Sequence, residues 1–428
     1  IIINISLSNR LDLAIYNYFY NLNYGFETFG LKNFFIGVTE LGDSFWYFLV
    51  FVLVFLISFV GKTTKTLSSE SYLRIRNFTI FGFFYLLLVG CVTQILKHVI
   101  GRPRPNHTNF EESVVFNFFS TDSSFHSFPS GHSSTIVSVA IILGLLIPNL
   151  RKFFIIFSII VAISRVVVGA HYLTDIIAGG LVAIILYKIL KAFIKKHYPI
   201  LFNKRFQINN SSLLLRINIV FITIGIFLTA GSALDIFVSG FFYKGGDQFF
   251  LQSYDALSFI FREFLLPLLA LYVFIMPIIS IFVPIKKIYF GHRFRLKEIV
   301  FIWLSGAITL ILVVNIFLKN MWGRARPNEI QQFGGNDLFT PWFRFGDSCF
   351  SNCSFVSGDA SVGFALIVFY FITKNNFFIY MSIFFGLSLG FIRIIAGGHF
   401  LSDIIFAQIV VTAMMFIIFI IYKRVLND

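Results

Sequence analysis

The chain has 428 residues, of which 57% are hydrophobic and 13% charged, against about 25% charged in ordinary soluble domains. That balance excludes a soluble enzyme and a disordered chain. Lys and Arg exceed Asp and Glu by 14, but the cations sit in short stretches between apolar runs, which points to membrane topology rather than nucleic acid.

Three cysteines, Cys91, Cys349 and Cys353, allow at most one disulfide, between the two in the polar loop. The chain opens on Ile1 without a signal-peptide pattern, so insertion is expected to rest on the apolar segments themselves. In chain order, apolar runs predict eleven membrane helices, at residues 44–60, 77–96, 133–148, 153–168, 176–194, 217–233, 264–283, 299–318, 360–373, 377–392 and 404–422. Several are shorter than the roughly 20 residues that cross a hydrocarbon core, so their ends must reach into the flanking motifs. A backbone in hydrocarbon has no water to bond, which makes helices the natural reading of such runs. The expected fold is an all-α polytopic membrane protein of two homologous helical bundles, residues 1–200 and 201–428, with the polar stretch 195–212 at the boundary. LDLAIYNYFY at residues 11–20 and LDIFVSGFFY at residues 234–243 correspond to each other and read either as interfacial helices against the headgroups or, the preferred reading, as an aromatic belt at a substrate entrance.

Lys62, Lys65, Arg74 and Arg76 separate the first two runs; Arg151 and Lys152 separate the third and fourth; Lys188, Lys191, Lys195, Lys196, Lys204 and Arg205 follow the fifth. In the second half the same side collects Lys286, Lys287, Arg293, Arg295, Lys297, Lys374, Lys423 and Arg424. The positive-inside bias makes this face cytoplasmic. The opposite face should be poor in cations, yet it carries Lys97, Arg102, Arg104 and Arg165, and again Lys319, Arg324, Arg326 and Arg393. Topology does not account for those eight.

Their spacing does. Lys97 precedes Arg104-Pro105 with six residues between; Pro129-Ser130-Gly131-His132 follows; then come Arg165, five residues, His171, three residues, and Asp175. The second half repeats the order with Lys319, Arg326-Pro327, Val356-Ser357-Gly358-Asp359, Arg393, His399 and Asp403. The separation from Lys97 to Lys319 equals that from Arg104 to Arg326, and it is only slightly larger from Gly131 to Gly358 and from His171 to His399. That is the pattern of a duplication with one longer loop. His171 and Asp175, four apart, share a face if helical, so that the carboxylate can hold the imidazole N–H and strengthen the other nitrogen as a nucleophile. His399 and Asp403 repeat the pair. Lys97, Arg104 and Arg165 form a potential clamp for phosphoryl oxygens. The Ser130-Gly131 turn before an apolar run offers backbone N–H groups at a helix N-terminus, a natural anion site.

Together these motifs resemble those of the type-2 phosphatidic acid phosphatase superfamily, which includes bacterial lipid phosphatases and is related to vanadium haloperoxidases. The resemblance covers nearly the whole chain as two tandem copies. It implies a phosphohistidine mechanism in which His171 attacks phosphorus, Asp175 orients it, Lys97, Arg104, Ser130, Gly131 and Arg165 hold the phosphate, and His132 protonates the leaving lipid oxygen. In the second copy it implies His399 as nucleophile with Asp403 behind it, and Lys319, Arg326, Ser357, Gly358 and Arg393 around the phosphate. No metal and no cofactor are implied, because the cations supply the charge stabilisation.

The second copy departs from the pattern at Asp359, which stands where the family has its histidine acid. An ordinary carboxyl is ionised near neutral pH, and neighbouring cations favour that form, so the role of acid would depend on bound phosphate restoring the proton. The run Cys353-Ser354-Phe355-Val356-Ser357-Gly358, with Phe333-Gly334-Gly335 and Phe339-Thr340-Pro341 before it, resembles a lipid A phosphatase-like bacterial subgroup that has an acidic residue here. Ile392 replaces the Ser164 that precedes the motif arginine in the first copy.

The expectation is an inner-membrane, multi-pass lipid phosphatase with two sites facing the periplasm or exterior, acting on lipid phosphates or diphosphates. Undecaprenyl diphosphate, lipid A, phosphatidylglycerophosphate and phosphatidic acid are the candidates. Its partners would be a phosphorylated lipid substrate and membrane lipids, with no nucleic acid and no obligatory protein partner. A phosphotransferase that passes phosphate to a lipid acceptor, and a degenerate lipid-phosphate binding or transport protein, stay open at this point, although retention of both His-Asp pairs speaks against the latter.

Overall fold

A computed structural model describes residues 10–20, 31–63, 69–107, 116–197, 213–230, 232–246, 248–253, 259–282, 289, 292 and 294–427. The predicted boundary stretch lies outside the described residues beyond residue 197, as do Lys65, Lys204, Arg205, Lys286, Lys287 and Arg293. The chain divides into two compact units, Ile1–Ser211 and Ser212–Asp428.

In the first unit a helix over residues 10–20 (α1) is followed by α2 (Leu31–Thr39), α3 (Ser44–Thr63), α4 (Ser69–Ile100), α5 (Gly131–Leu146), α6 (Arg151–Val167) and α7 (Leu173–His197). α5 is the centre, packed on α4, α6 and α7. Its small residues Ser133, Ser134, Ser138, Ala140 and Gly144 are buried and let neighbouring backbones approach, the way helices associate where lipid removes the hydrophobic driving force. Phe81, Tyr85 and Val89 of α4 meet Ile142 and Leu145 of α5 and Ala183 of α7. The Tyr85 hydroxyl, buried there, donates to the Ala183 carbonyl at 2.7 Å, as a polar group in such a core must. α6 buries Phe154, Ser158, Val161 and Ala162 and turns Ile155, Ile156, Ile159 and Ile163 outward, an apolar outer face that fits lipid rather than water.

The second unit contains α8 (Leu213–Ala230), α9 (Ala233–Gly240), a small antiparallel pair of β1 (Tyr243–Gly245) and β2 (Gln248–Phe249), a π-helical segment Phe259–Leu265 leading into α10 (Leu266–Phe274), and α11 (Met276–Phe282). α12 (Leu296–Met321), α13 (Gly358–Thr373), α14 (Phe377–Ile395) and α15 (Leu401–Asn427) complete it. Here α13 is central, packed on α14, α15, α12 and α10. A Cβ on Gly363 of α13 would lie 2.6 Å from the Gly386 nitrogen of α14, so the close crossing of these two helices depends on glycine.

The fold is all-α and polytopic, and all eleven predicted runs fall on helical segments, but fewer than eleven helices are long enough to span alone. Among the described residues five are, Ile75–Ile100, Leu173–Phe193, Leu296–Met321, Phe377–Ile395 and Leu401–Arg424, or seven if two bent pairs each count as one span. The run at 264–283 breaks between α10 and α11, and α5 and α13 stay short because their N-termini are spent on the site motifs.

Candidate active site

Motif one begins at a helix end. α4 carries Lys97 on its last turn, then Gly101 takes φ +57° and donates to the Lys97 carbonyl at 3.0 Å. A Cβ there would meet the Asn117 carbonyl oxygen at 1.6 Å, so glycine is required for this left-handed cap. The following Arg102-Pro103-Arg104-Pro105 cannot continue a helix. Gly323 repeats the device after α12, at φ +67° against the Gly346 carbonyl.

Motif two is a cap. Ser130 accepts from the Ser133 amide and starts α5, and Ser357 accepts from the Ala360 amide and starts α13. Both serines are buried, and their hydroxyls are committed to the caps; what the turn can offer an anion is the first N–H groups of each helix, which have no intrahelical partner. The Ser130 amide donates to the Asp175 carbonyl at 2.9 Å and that of Ser357 to the Asp403 carbonyl at 3.2 Å, which ties motif two to motif three.

In the first unit a cavity of about 280 Å³ opens between these motifs, lined by Lys97, Arg104, Gly131, His132, Arg165 and His171 with Thr93, Gln94 and the turn Gly42-Asp43-Ser44. Six predicted residues thus converge on one polar space. Arg165 donates through Nη1 to Thr39 Oγ1 at 2.7 Å, and Arg104 through Nε to the Ser123 carbonyl at 3.2 Å. His171 is 1% exposed. Its Nδ1 faces Asp175 Oδ2 at 3.6 Å, which leaves Nε2 as the nitrogen available to a phosphorus atom. Burial pulls its pKa down to about 4, aided by Arg165 and Lys97 and opposed by Asp175, so the ring is neutral and its lone pair free at neutral pH.

The second unit repeats the arrangement. His399 Nδ1 lies 3.4 Å from Asp403 Oδ2, and burial brings this ring down to about 4 as well. Lys319 Nζ would touch a Cβ placed on Gly358, at 3.1 Å. It donates to Asn352 Oδ1, and Arg326 donates through Nη2 to the Asn352 carbonyl. Asn352 lies in the loop closed by the Cys349–Cys353 disulfide. Asp359 is not alone: its Oδ2 lies 3.4 Å from Arg393 Nε and 3.5 Å from Arg262 Nε.

Comparison with known proteins agrees with this doubled geometry. The PAP2 superfamily matches residues 78–199 and again residues 300–426. The chain belongs to the PAP2 superfamily. It is 35% identical over 198 residues to a lipid A 4'-phosphatase of Francisella tularensis subsp. novicida, covering 45% of this chain and 87% of that protein. It is also 39% identical over 146 residues to a lipid A 1-phosphatase of Rhizobium johnstonii, covering 33% of this chain and 59% of that protein. No solved structure matches the chain.

Both PAP2 copies carry a second layer that the motif spacing did not reveal. Arg102 donates to Asp175 Oδ1 at 2.5 Å, to Thr174 Oγ1 at 2.7 Å and to Asp12 Oδ2 at 2.8 Å. Arg324 does the same with Asp403, Ser402 and Asp235 at 2.5, 2.8 and 2.8 Å. The other carboxylate oxygen of Asp175 accepts from the Ser127 hydroxyl and the Tyr172 amide, and that of Asp403 from Ser354 and Phe400. Asp12 and Asp235 also accept from the Thr174 and Ser402 amides, the first turns of α7 and α15. The two aromatic stretches therefore deliver a buried carboxylate each. The signal was present: Asp12 and Asp235 stand at the same place in two matching stretches, and Arg102 and Arg324 stand at the same place between the motif lysine and the motif arginine.

Proposed function

We propose that this PAP2 chain is a tandem lipid phosphatase with two active sites, each working through a phosphohistidine intermediate. The observation that carries the reading is the buried, neutral His171, backed by Asp175 and facing a cavity with three cationic side chains, with His399 and Asp403 placed alike. Lys97, Arg104 and Arg165 hold the non-bridging phosphoryl oxygens and are aimed at charge that grows in the transition state. Nε2 of His171 forms a bond to phosphorus as the bond to the lipid oxygen breaks, and His132, an imidazolium once the bound phosphate offsets the surrounding cations, gives that oxygen a proton. Asp175, itself held by Arg102, Ser127 and the Tyr172 amide, stabilises the charge that develops on the ring. Water then attacks phosphorus and releases inorganic phosphate. The cations perform the charge stabilisation that a metal performs in other phosphatases, so turnover is expected to persist in EDTA.

The relatives act on lipid A by name, and a phosphorylated glycolipid of that kind is the substrate we favour, with undecaprenyl diphosphate, phosphatidylglycerophosphate and phosphatidic acid as alternatives. The positive-inside pattern supports a reading with both sites at the periplasmic face of the inner membrane. The test is phosphate release by the purified chain in detergent across these lipids. His171→Ala with His399→Ala should cut release by at least about 10³-fold, and wild-type rates in the double variant would refute the mechanism.

A further inference from the structure

The two copies differ at one place in the site, and the difference is coupled. Where the first copy has His132, the second has Asp359. Thr39 follows Asp12 by as many residues as Arg262 follows Asp235. Each touches the neighbourhood of the motif-three arginine: Thr39 Oγ1 accepts from Arg165, whereas Arg262 Nε lies 3.5 Å from Asp359 Oδ2, with Arg393 Nε at 3.4 Å on the same oxygen. That oxygen is buried and accepts no hydrogen bond among the described residues, so two guanidinium groups balance its charge. Arg262 is half-exposed and sits in a π-helical segment, a backbone form frequent at functional sites. Thus a neutral hydroxyl and an imidazole in one copy become a guanidinium and a carboxylate in the other.

The chemistry follows from the leaving group. A lipid alkoxide must receive a proton as it departs, which His132 can supply as an imidazolium once an anionic phosphate in the site offsets Lys97, Arg104 and Arg165. A carboxylate paired with two arginines has no proton to give, but Arg262 can receive a group that leaves as an anion. We propose that the second copy is confined to lipid diphosphates whereas the first also takes lipid monophosphates, an assignment that rests on the phosphatase reading above. In the second copy a bond forms between Nε2 of His399 and the terminal phosphorus while the bond from that phosphorus to the bridging oxygen breaks. The bridging oxygen departs with the lipid as its monophosphate, its charge received by Arg262. Water then adds hydroxide to phosphorus and a proton to the imidazole, releasing inorganic phosphate. The monophosphate produced is a class of substrate the first copy also takes.

The experiment measures phosphate release from diacylglycerol pyrophosphate and from phosphatidic acid with the same acyl chains, in mixed micelles, by the full chain carrying either His171→Ala or His399→Ala. The other copy's activity in the same chain reports correct folding. The His171→Ala protein, with only the second site, should favour the diphosphate by about 100-fold or more, the contribution of a missing acid, while the His399→Ala protein should treat the two lipids within about tenfold. Adding Arg262→Thr to His171→Ala should slow diphosphate cleavage at least about tenfold, and adding Asp359→His as well should raise monophosphate cleavage. Equal rates on both lipids with the second site alone, or no effect of Arg262→Thr, would overturn the assignment. Silence of the second site beside an active first would also overturn it. Silence of both on both lipids would bring down the phosphatase reading itself, and the division with it.

Discussion

Arg102 grips Asp175 from behind the first site, with Nη1 2.5 Å from Oδ1 and the whole pair buried. His171, the proposed nucleophile, thus faces a carboxylate that is itself fixed by an arginine, which Asp12 anchors in turn. Arg324, Asp403 and Asp235 reproduce the chain of contacts in the second unit. A misplacement of about 1 Å can cost about 10² in rate, so this layer should matter although none of it touches phosphate.

Asp12→Asn in a chain carrying His399→Ala should therefore lower kcat of the first site by about tenfold to a hundredfold with little change in KM. Arg102→Ala leaves two buried carboxylates without their partner and should cost about 3–5 kcal/mol of stability, read as a fall in thermal midpoint. An unchanged kcat in Asp12→Asn would show the layer to be structural only.

His171 and His399, the proposed nucleophiles, are brought down to about 4 by burial, from an ordinary value of about 6.5. The reactive neutral ring is then the dominant form at all pH values above that, and kcat/KM should hold from neutrality to about pH 5 and fall below it. Because the folded value is depressed, the unfolded chain binds more protons between these two values, so stability falls as pH drops through that window. A pH profile with its midpoint near 6.5 would place the histidines in water rather than in a buried site.

His132→Ala, in the His399→Ala background, should slow phosphate release from phosphatidic acid by about 10²–10⁴-fold. The loss should shrink when the natural alcohol is replaced by p-nitrophenol, whose anion leaves without a proton. Equal losses on both substrates would assign His132 to phosphate binding instead of proton transfer.

Sidedness is open to a direct check. With Cys91→Ser, a cysteine at Asn106 should react with an impermeant maleimide from outside intact cells, and one at Lys62 should not. The reverse pattern would turn the topology over.

The contrast between what the residues announced and what they hid has a physical basis. Lys97, Arg104, His171 and Asp175 were legible because local spacing on helix ends dictates how they can meet, and because the same spacing recurs at Lys319, Arg326, His399 and Asp403. Arg102 was visible only as a cation that topology did not explain. Its partner Asp12 lies 90 residues away, and no periodicity relates a buried carboxylate in one aromatic stretch to a guanidinium after another helix. Arg262 was hidden for the same reason, since only the fold brings it to Asp359. Hydropathy registers an apolar run whether it forms one long helix, as at α14, or breaks, as between α10 and α11, so the eleven runs do not translate one for one into long helices among the described residues.

The most direct test of the central claim is to trap the phosphoenzyme. The purified chain is mixed with a lipid whose terminal phosphate carries ³²P, quenched within one turnover and examined for protein-bound label. Wild type, His171→Ala and His399→Ala should each carry label that survives alkali and is lost in acid, as a phosphorus–nitrogen bond requires, and the double variant should carry none. Label that persists in the double variant, or that survives acid, would contradict two histidine nucleophiles in one chain.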